Sequence, residues 1–123
     1  MGAATLSAHA GDLTCVVPKN QQLWVKQIIV TPASRKVTLH LTDSPSPRVA
    51  VLTNSTESQF GKPVYAFNLP PLPGSEPVTN LFKLFYTGST WRLIDAGVLA
   101  VNGTFTLRAI GQSTVVECKE SGL

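Results

Sequence analysis

VVPKNQQLWVKQIIVTPASRKVTLHLT, residues Val16 to Thr42, is the stretch that decides the fold class. It reads as the end of one strand, a Pro18-Lys19-Asn20 turn and a long strand from Leu23 to Thr31. A short Pro32-Ala33-Ser34 connection then leads into a second strand from Arg35 to Thr42. The second strand alternates. Val37, Leu39 and Leu41 take one face, and Lys36, Thr38, His40 and Thr42 take the other, which is the period of two of a half-buried strand. The first strand breaks that rule: Leu23, Val25 and Ile29 share one parity, and Trp24, Ile28 and Val30 share the other. Two arrangements account for the break. A β-bulge near Lys26–Gln27 carries the apolar set across to the opposite face part-way along. Alternatively, the strand is buried on both faces, its outer one beneath a second subunit. Both place this hairpin at the centre of an all-β domain.

Outward from the hairpin, the chain is punctuated by turn residues. Asp12 to Val17 reads as a strand stopped by Pro18, and Asp43-Ser44-Pro45-Ser46-Pro47 as a loop that no strand can run through. Arg48 to Thr53 is a short strand, Asn54 to Lys62 a polar exposed loop, and Pro63 to Leu69 another strand. The prolines of Pro70-Pro71-Leu72-Pro73-Gly74-Ser75-Glu76-Pro77 impose an extended path, read as a stiff crossover between two sheets. Val78 to Thr87 is apolar on both parities, with Phe82, Leu84 and Tyr86 against Leu81 and Phe85, as for a strand buried on two sides. Gly88-Ser89-Thr90 turns the chain into Trp91–Ile94, and Asp95-Ala96-Gly97 reads as the next turn. Val98–Val101 then meets Asn102-Gly103, a type I′ hairpin signal. Thr104 to Ile110 alternates, with Phe105, Leu107 and Ala109 expected inward. Gly111-Gln112-Ser113 turns into a last strand, Thr114 to Lys119.

No segment carries an apolar period of 3.6 residues. The expectation is an all-β fold: a β-sandwich, jelly-roll-like or a similar two-sheet antiparallel arrangement, of about eight to nine short strands. Residues 12–123 form its single domain, and residues 1–11 a flexible N-terminal arm or edge strand with Leu6 as its one sizeable aliphatic side chain.

The 123 residues suffice for one core. With 14% charged and 43% hydrophobic residues, the composition is that of a folded chain. The net charge of +3 sets ten basic residues against seven acidic ones, and the basic ones are scattered along the sequence, so no nucleic-acid-binding stripe is expected. No apolar run approaches the roughly 20 residues that span a bilayer, so no membrane segment is expected. The N-terminus lacks the basic and apolar regions of a secretory signal, and Leu6 stands where a myristoylation pattern needs Ser or Thr. Assembly in the cytoplasm is the simplest reading. Cys15 and Cys118 fall in an early and a last strand, which would be neighbours in a sandwich whose ends meet; a disulfide and a pair of buried thiols both remain open.

Catalytic chemistry is not expected. His9 and His40 have no partners at ligand spacing, so no metal site is anticipated. No serine sits in a Gly-x-Ser-x-Gly elbow, there is no phosphate-binding glycine loop, and the scattered carboxylates fall mostly at turns. No cofactor is implied.

Pro18, Trp24, Val25, Lys26, Ile28, Val30, Thr31 and Ser34 make a turn, an aromatic, a V-K-x-I-x-V strand and a short polar connection. The far end, Val98 to Ala109 followed by Gly111 to Ser113, Val115 and Val116, runs through a small-residue and glycine turn into a last strand. Together these ends resemble small β-sandwich virion proteins of tailed bacteriophages; the resemblance fades over residues 44–90. It implies a structural protein of the capsid decoration, or cement, type. Such proteins sit as homotrimers on the outside of the head shell, assembled in the host cytoplasm. They bind the major capsid protein and clamp neighbouring capsomers by contact energy alone. On that reading Trp24, Phe82, Phe85 and Trp91 are anchors of the core or of subunit contacts. Leu6, His9, Pro45, Pro47, Pro71, Leu72 and Pro73 are candidates for capsid contact. Two other readings stay open. One is a head–tail connector, tail or fibre-associated protein. The other is an immunoglobulin-like adhesion or carbohydrate-binding module of an exported protein, to which the two cysteines and the Asn54-Ser55-Thr56 and Asn102-Gly103-Thr104 sequons lend some support.

Overall fold

The alternating stretch forms its strand, and its neighbours extend it into a sheet that closes on itself. The computed structural model describes residues 11–21, 23–53, 57–111 and 113–121; Leu6 and His9 lie outside them. In chain order the strands are β1 (Leu13–Val16), β2 (Val25–Thr31), β3 (Lys36–Leu41), β4 (Arg48–Leu52), β5 (Ser58–Gln59) and β6 (Lys62–Pro63). There follow β7 (Tyr65–Leu69), β8 (Val78–Tyr86), β9 (Trp91–Val101), β10 (Thr104–Ile110) and β11 (Thr114–Glu120). A 3₁₀ turn over Pro32–Ser34 joins β2 to β3.

Fold class is all-β and antiparallel, as the alternation implies. The main sheet, however, is a closed eight-stranded barrel in place of two facing sheets. Its order is β10-β9-β11-β1-β2-β3-β4-β7-β8, and β8 pairs again with β9. The physical reason lies in β9. Trp91 to Leu99 pair along β8 on one edge, while the other edge is divided: Trp91–Leu93 pair with β11 and Ala96–Val101 with β10. The β11 share, continued through β1, closes the barrel. The β10 share extends beyond it as a projecting hairpin.

Two expected turns are absent for the same reason. β9 runs straight through Asp95-Ala96-Gly97, because pairing on both edges holds these residues extended. Gly97 is buried, and a Cβ there would come within 3.3 Å of Val78 Cγ1. Near Gly111 the chain continues along the same edge of β9, from β10 into β11, without reversing. The Gly111 N–H donates to the Asp95 carbonyl at 2.7 Å. A Cβ on Gly111 would fall 1.9 Å from Asp95 Oδ1 and 3.1 Å from the Asp95 carbonyl oxygen, so a side chain there would have to displace the Asp95 carboxylate. The proline segment is likewise no crossover between sheets: it joins β7 to β8, which are adjacent antiparallel partners. Within it, Leu72-Pro73-Gly74-Ser75 forms a turn closed by Ser75 N–H to Leu72 O at 3.1 Å. Gly74 has φ +83°, as a type II turn requires.

The bulge reading of β2 holds. Val25 faces Leu41, and Gln27 faces His40, so the register shifts at Lys26. Val25 before the shift and Ile28 and Val30 after it are all fully buried despite their opposite parities. They meet Val37, Leu39, Phe67, Leu84 and Leu93 in one core that fills the barrel. Phe67 stacks on Phe82 with ring centroids 5.0 Å apart, and Trp24 tilts against Phe82 at 5.7 Å. Cys15 and Cys118 stand directly opposite each other on β1 and β11 and are joined by a disulfide across 103 residues of sequence. Phe105 and Leu107, expected inward, are 73% and 55% exposed. β10 lies past the closed wall, where there is no core for its side chains to enter.

Candidate functional site

Strand directions sort the connections onto the two ends of the barrel. One end gathers residues 17–21 and 23–24, the 42–47 loop, the 70–77 segment and the Asn102-Gly103 tip of the projecting hairpin. The opposite end carries residues 32–35, 53, 57–64 and 87–90.

At the first end the loops are tied down by named contacts. Arg48 Nη2 donates to the Pro70 carbonyl, linking the start of β4 to the proline segment. Arg108 Nη2 meets Glu76 Oε2 at 2.9 Å, and the Ala100 N–H donates to the Pro77 carbonyl at 3.2 Å. The proline segment is therefore held against both β4 and the β9–β10 hairpin. Asn102 and Gly103 have φ of +52° and +77°, the type I′ geometry their sequence signals. Beside these loops, an open depression of about 510 Å³ is lined by Val16, Val17, Pro18, Leu23, Lys19 and Lys26, among others.

The sequence-predicted contact residues divide. Pro45, Pro47, Pro71, Leu72 and Pro73 are exposed at this one end, so two loops separated in sequence are brought together. Of the four aromatic anchors, Phe82 and Trp91 are buried in the core and Trp24 is half-buried against it. Phe85 is half-buried on the outer face, where its cross-strand neighbour is Arg92. Arg48, Glu76 and Arg108, which fasten the loops, were not singled out in the sequence. Their roles depend on pairings between distant strands that carry no local signal.

The opposite end has its own feature. β5 and β6 form a short hairpin whose two turn residues, Phe60 and Gly61, have φ of +52° and +76°. Phe60 is 64% exposed and lies over Gly88, where a Cβ would come 3.2 Å from its ring. Sequence reading left this stretch as a plain polar loop; the Phe-Gly pair was the available signal. Lys62 Nζ, on β6, bonds Glu120 Oε1 at 2.7 Å and sits 5.7 Å from the Tyr86 ring centroid. That hydrogen bond raises the Lys62 pKa above its ordinary 10.5. Burial raises the Tyr65 hydroxyl above its ordinary 10.0.

Chemically, both ends offer contact surface. His40 is half-buried on the outer, polar side of β3. Among the described residues, no group of three or more His, Cys, Asp or Glu converges as a metal site would. Comparison with protein-family models, with curated proteins and with solved structures finds no match for this chain.

Proposed function

We propose that this chain is a structural virion protein of the capsid decoration type, one that binds the outside of a phage head shell as an oligomer, with a trimer favoured, and stabilises contacts between capsomers. The observation that carries the reading is the first barrel end. Two exposed proline-bearing loops and a hairpin tip stand together there, fastened by Arg48 to Pro70 and by Arg108 to Glu76. A loop already held in place loses little conformational freedom on binding, which favours many repeated weak contacts on a lattice. Opposite walls of the barrel pack through one core much as two facing sheets do, so the reading does not depend on a two-sheet sandwich. The partner is the major capsid protein, and the work is done by contact energy. Immunogold labelling of virions of the encoding phage tests it. Label over the head exterior is the expected result; label at the neck or tail would move the assignment to a connector or tail protein.

One observation favours a second reading, an exported binding module: the Cys15–Cys118 disulfide, since such bonds persist in oxidising compartments. Alkylation and mass spectrometry of protein from its source separate the two. Free thiols favour assembly in the host cytoplasm, and a bonded pair favours export.

A further inference from the structure

The barrel's outer wall changes character half-way round. On β4, β7, β8, β9 and β10, the outward positions fixed by the strand registers are largely apolar. Val51 is beside Asn68, Asn68 beside Leu81, and Leu81 beside Ala96. Ile94 faces Lys83, Val98 lies between Thr79 and Leu107, and Ala100 faces Phe105. Val51 is 66% exposed, Phe105 and Leu107 more than half, and Leu81 and Ile94 more than a third. The charged side chains on this outward face are Lys83, bonded to Glu57 at 3.1 Å, and Arg92, which faces Phe85 and donates to Ser113 Oγ at 2.8 Å. A mostly hydrocarbon depression lies between Ala66, Leu81, Ile94 and Ala96.

We propose that this wall is where a second copy of the chain binds. Charge and area argue for that occupant. A nucleic acid or an acidic surface needs an array of unpaired positive charge, whereas this wall carries two cations, Lys83 paired with Glu57 and Arg92 bonded to Ser113 at the β11 border. A bilayer-spanning barrel carries an apolar belt around its whole girth and a polar lumen. Here the interior is the apolar core, and the wall of β11, β1, β2 and β3 carries Lys119, Glu117, Thr14, Gln27, Lys36 and His40 outward. A second copy needs only a matching, largely apolar face, which every copy has. Five strands spaced ~4.8 Å apart, about six residues long at ~3.4 Å per residue, make a face on the order of 500 Å². Two such faces pressed together remove about 1,000 Å² from water, the size at which a specific interface begins. That is enough for a reversible oligomer.

The inference rests on the assembling part of the proposed function and not on its virion setting. A chain that self-associates through this wall yet leaves heads unlabelled overturns the virion setting alone. The experiment is sedimentation velocity on the full chain over a range of concentrations, for the wild type, for Phe105→Asp/Leu107→Asp and for Thr38→Asp on the polar wall. Phe105 and Leu107 lie outside the core, so the double variant keeps its fold, checked by its thermal unfolding. The expected result is a concentration-dependent oligomer in the wild type and in Thr38→Asp, with association weakened ~tenfold or more in the double variant. A wild type monomeric at every concentration overturns the proposal. So does an oligomer that the double variant leaves intact.

Discussion

β3 and β8 are both barrel strands with buried inward faces, yet their outward faces differ. On β3, Lys36, Thr38 and His40 face out, and the sequence alternates cleanly. On β8, Leu81 and Phe85 face out beside Lys83, and the alternation is lost. The core demands the same of both: Val37 and Leu39 are fully buried on β3, as Phe82 and Leu84 are nearly or fully buried on β8. The difference therefore lives outside the core. A polar outward face is satisfied by water, whereas an apolar one spread over five strands gains from being covered. On the proposal above, lost alternation in a strand that is nonetheless half-exposed marks the face that a second copy covers.

The comparison can be broken or sharpened by substitution. The largest expected effect is at the seam of the polar half. Replacing Cys15 and Cys118 by Ala releases a link across 103 residues and should cost about 4 to 5 kcal/mol in urea unfolding. Next comes the shared core. Leu39→Ala and Leu84→Ala should each cost about 2 to 5 kcal/mol, alike on the two walls. A much smaller cost on β8 would break the premise that the core treats both strands equally. Gly111→Ala forces a Cβ against Asp95 where β10 gives way to β11, and should cost about 1 to 3 kcal/mol. On the outward face the walls part company. Leu81→Asp should leave monomer stability within about 0.5 kcal/mol, as a surface change does, while lowering the oligomer fraction in sedimentation.

The smallest effect is alkaline and concerns neither wall. Lys62 and Tyr65 both hold their protons more tightly folded than unfolded, through the Glu120 hydrogen bond and through burial respectively. Their contributions are complete below the ordinary values of 10.5 and 10.0 and fade as pH rises through the folded values. The melting temperature should therefore begin to fall above about pH 10, and less so in Glu120→Gln.

Much of the barrel was legible in the residues. The β2–β3 hairpin, the shift at Lys26 and the Asn102-Gly103 turn are all local: each is written in parity or in a residue pair with a required φ. Closure was not legible. A period of two says that a strand has an inside and an outside, but not which strand lies beside it. The same alternation serves a sandwich and a barrel. Closure depends on Trp91–Leu93 pairing with β11, a contact with no sequence signal of its own. Parity misled at β10 for a related reason. Phe105 and Leu107 do share a face, but whether that face looks inward depends on the neighbouring strands. Asp95-Ala96-Gly97 has turn composition, yet pairing on both edges of β9 overrides it. Of the candidate site, the exposed prolines were visible in the sequence, whereas the arginines that fasten them needed the strand order.

Hydrogen exchange read by mass spectrometry, at low and at high protein concentration, tests the contrast between the walls most directly. Peptides covering β10 and β8 report on the apolar wall, and the peptide covering β3 on the polar one. The account predicts that exchange in β10 and β8 slows as concentration rises while β3 stays unchanged. Equal slowing in all three, or none in β10, would contradict it.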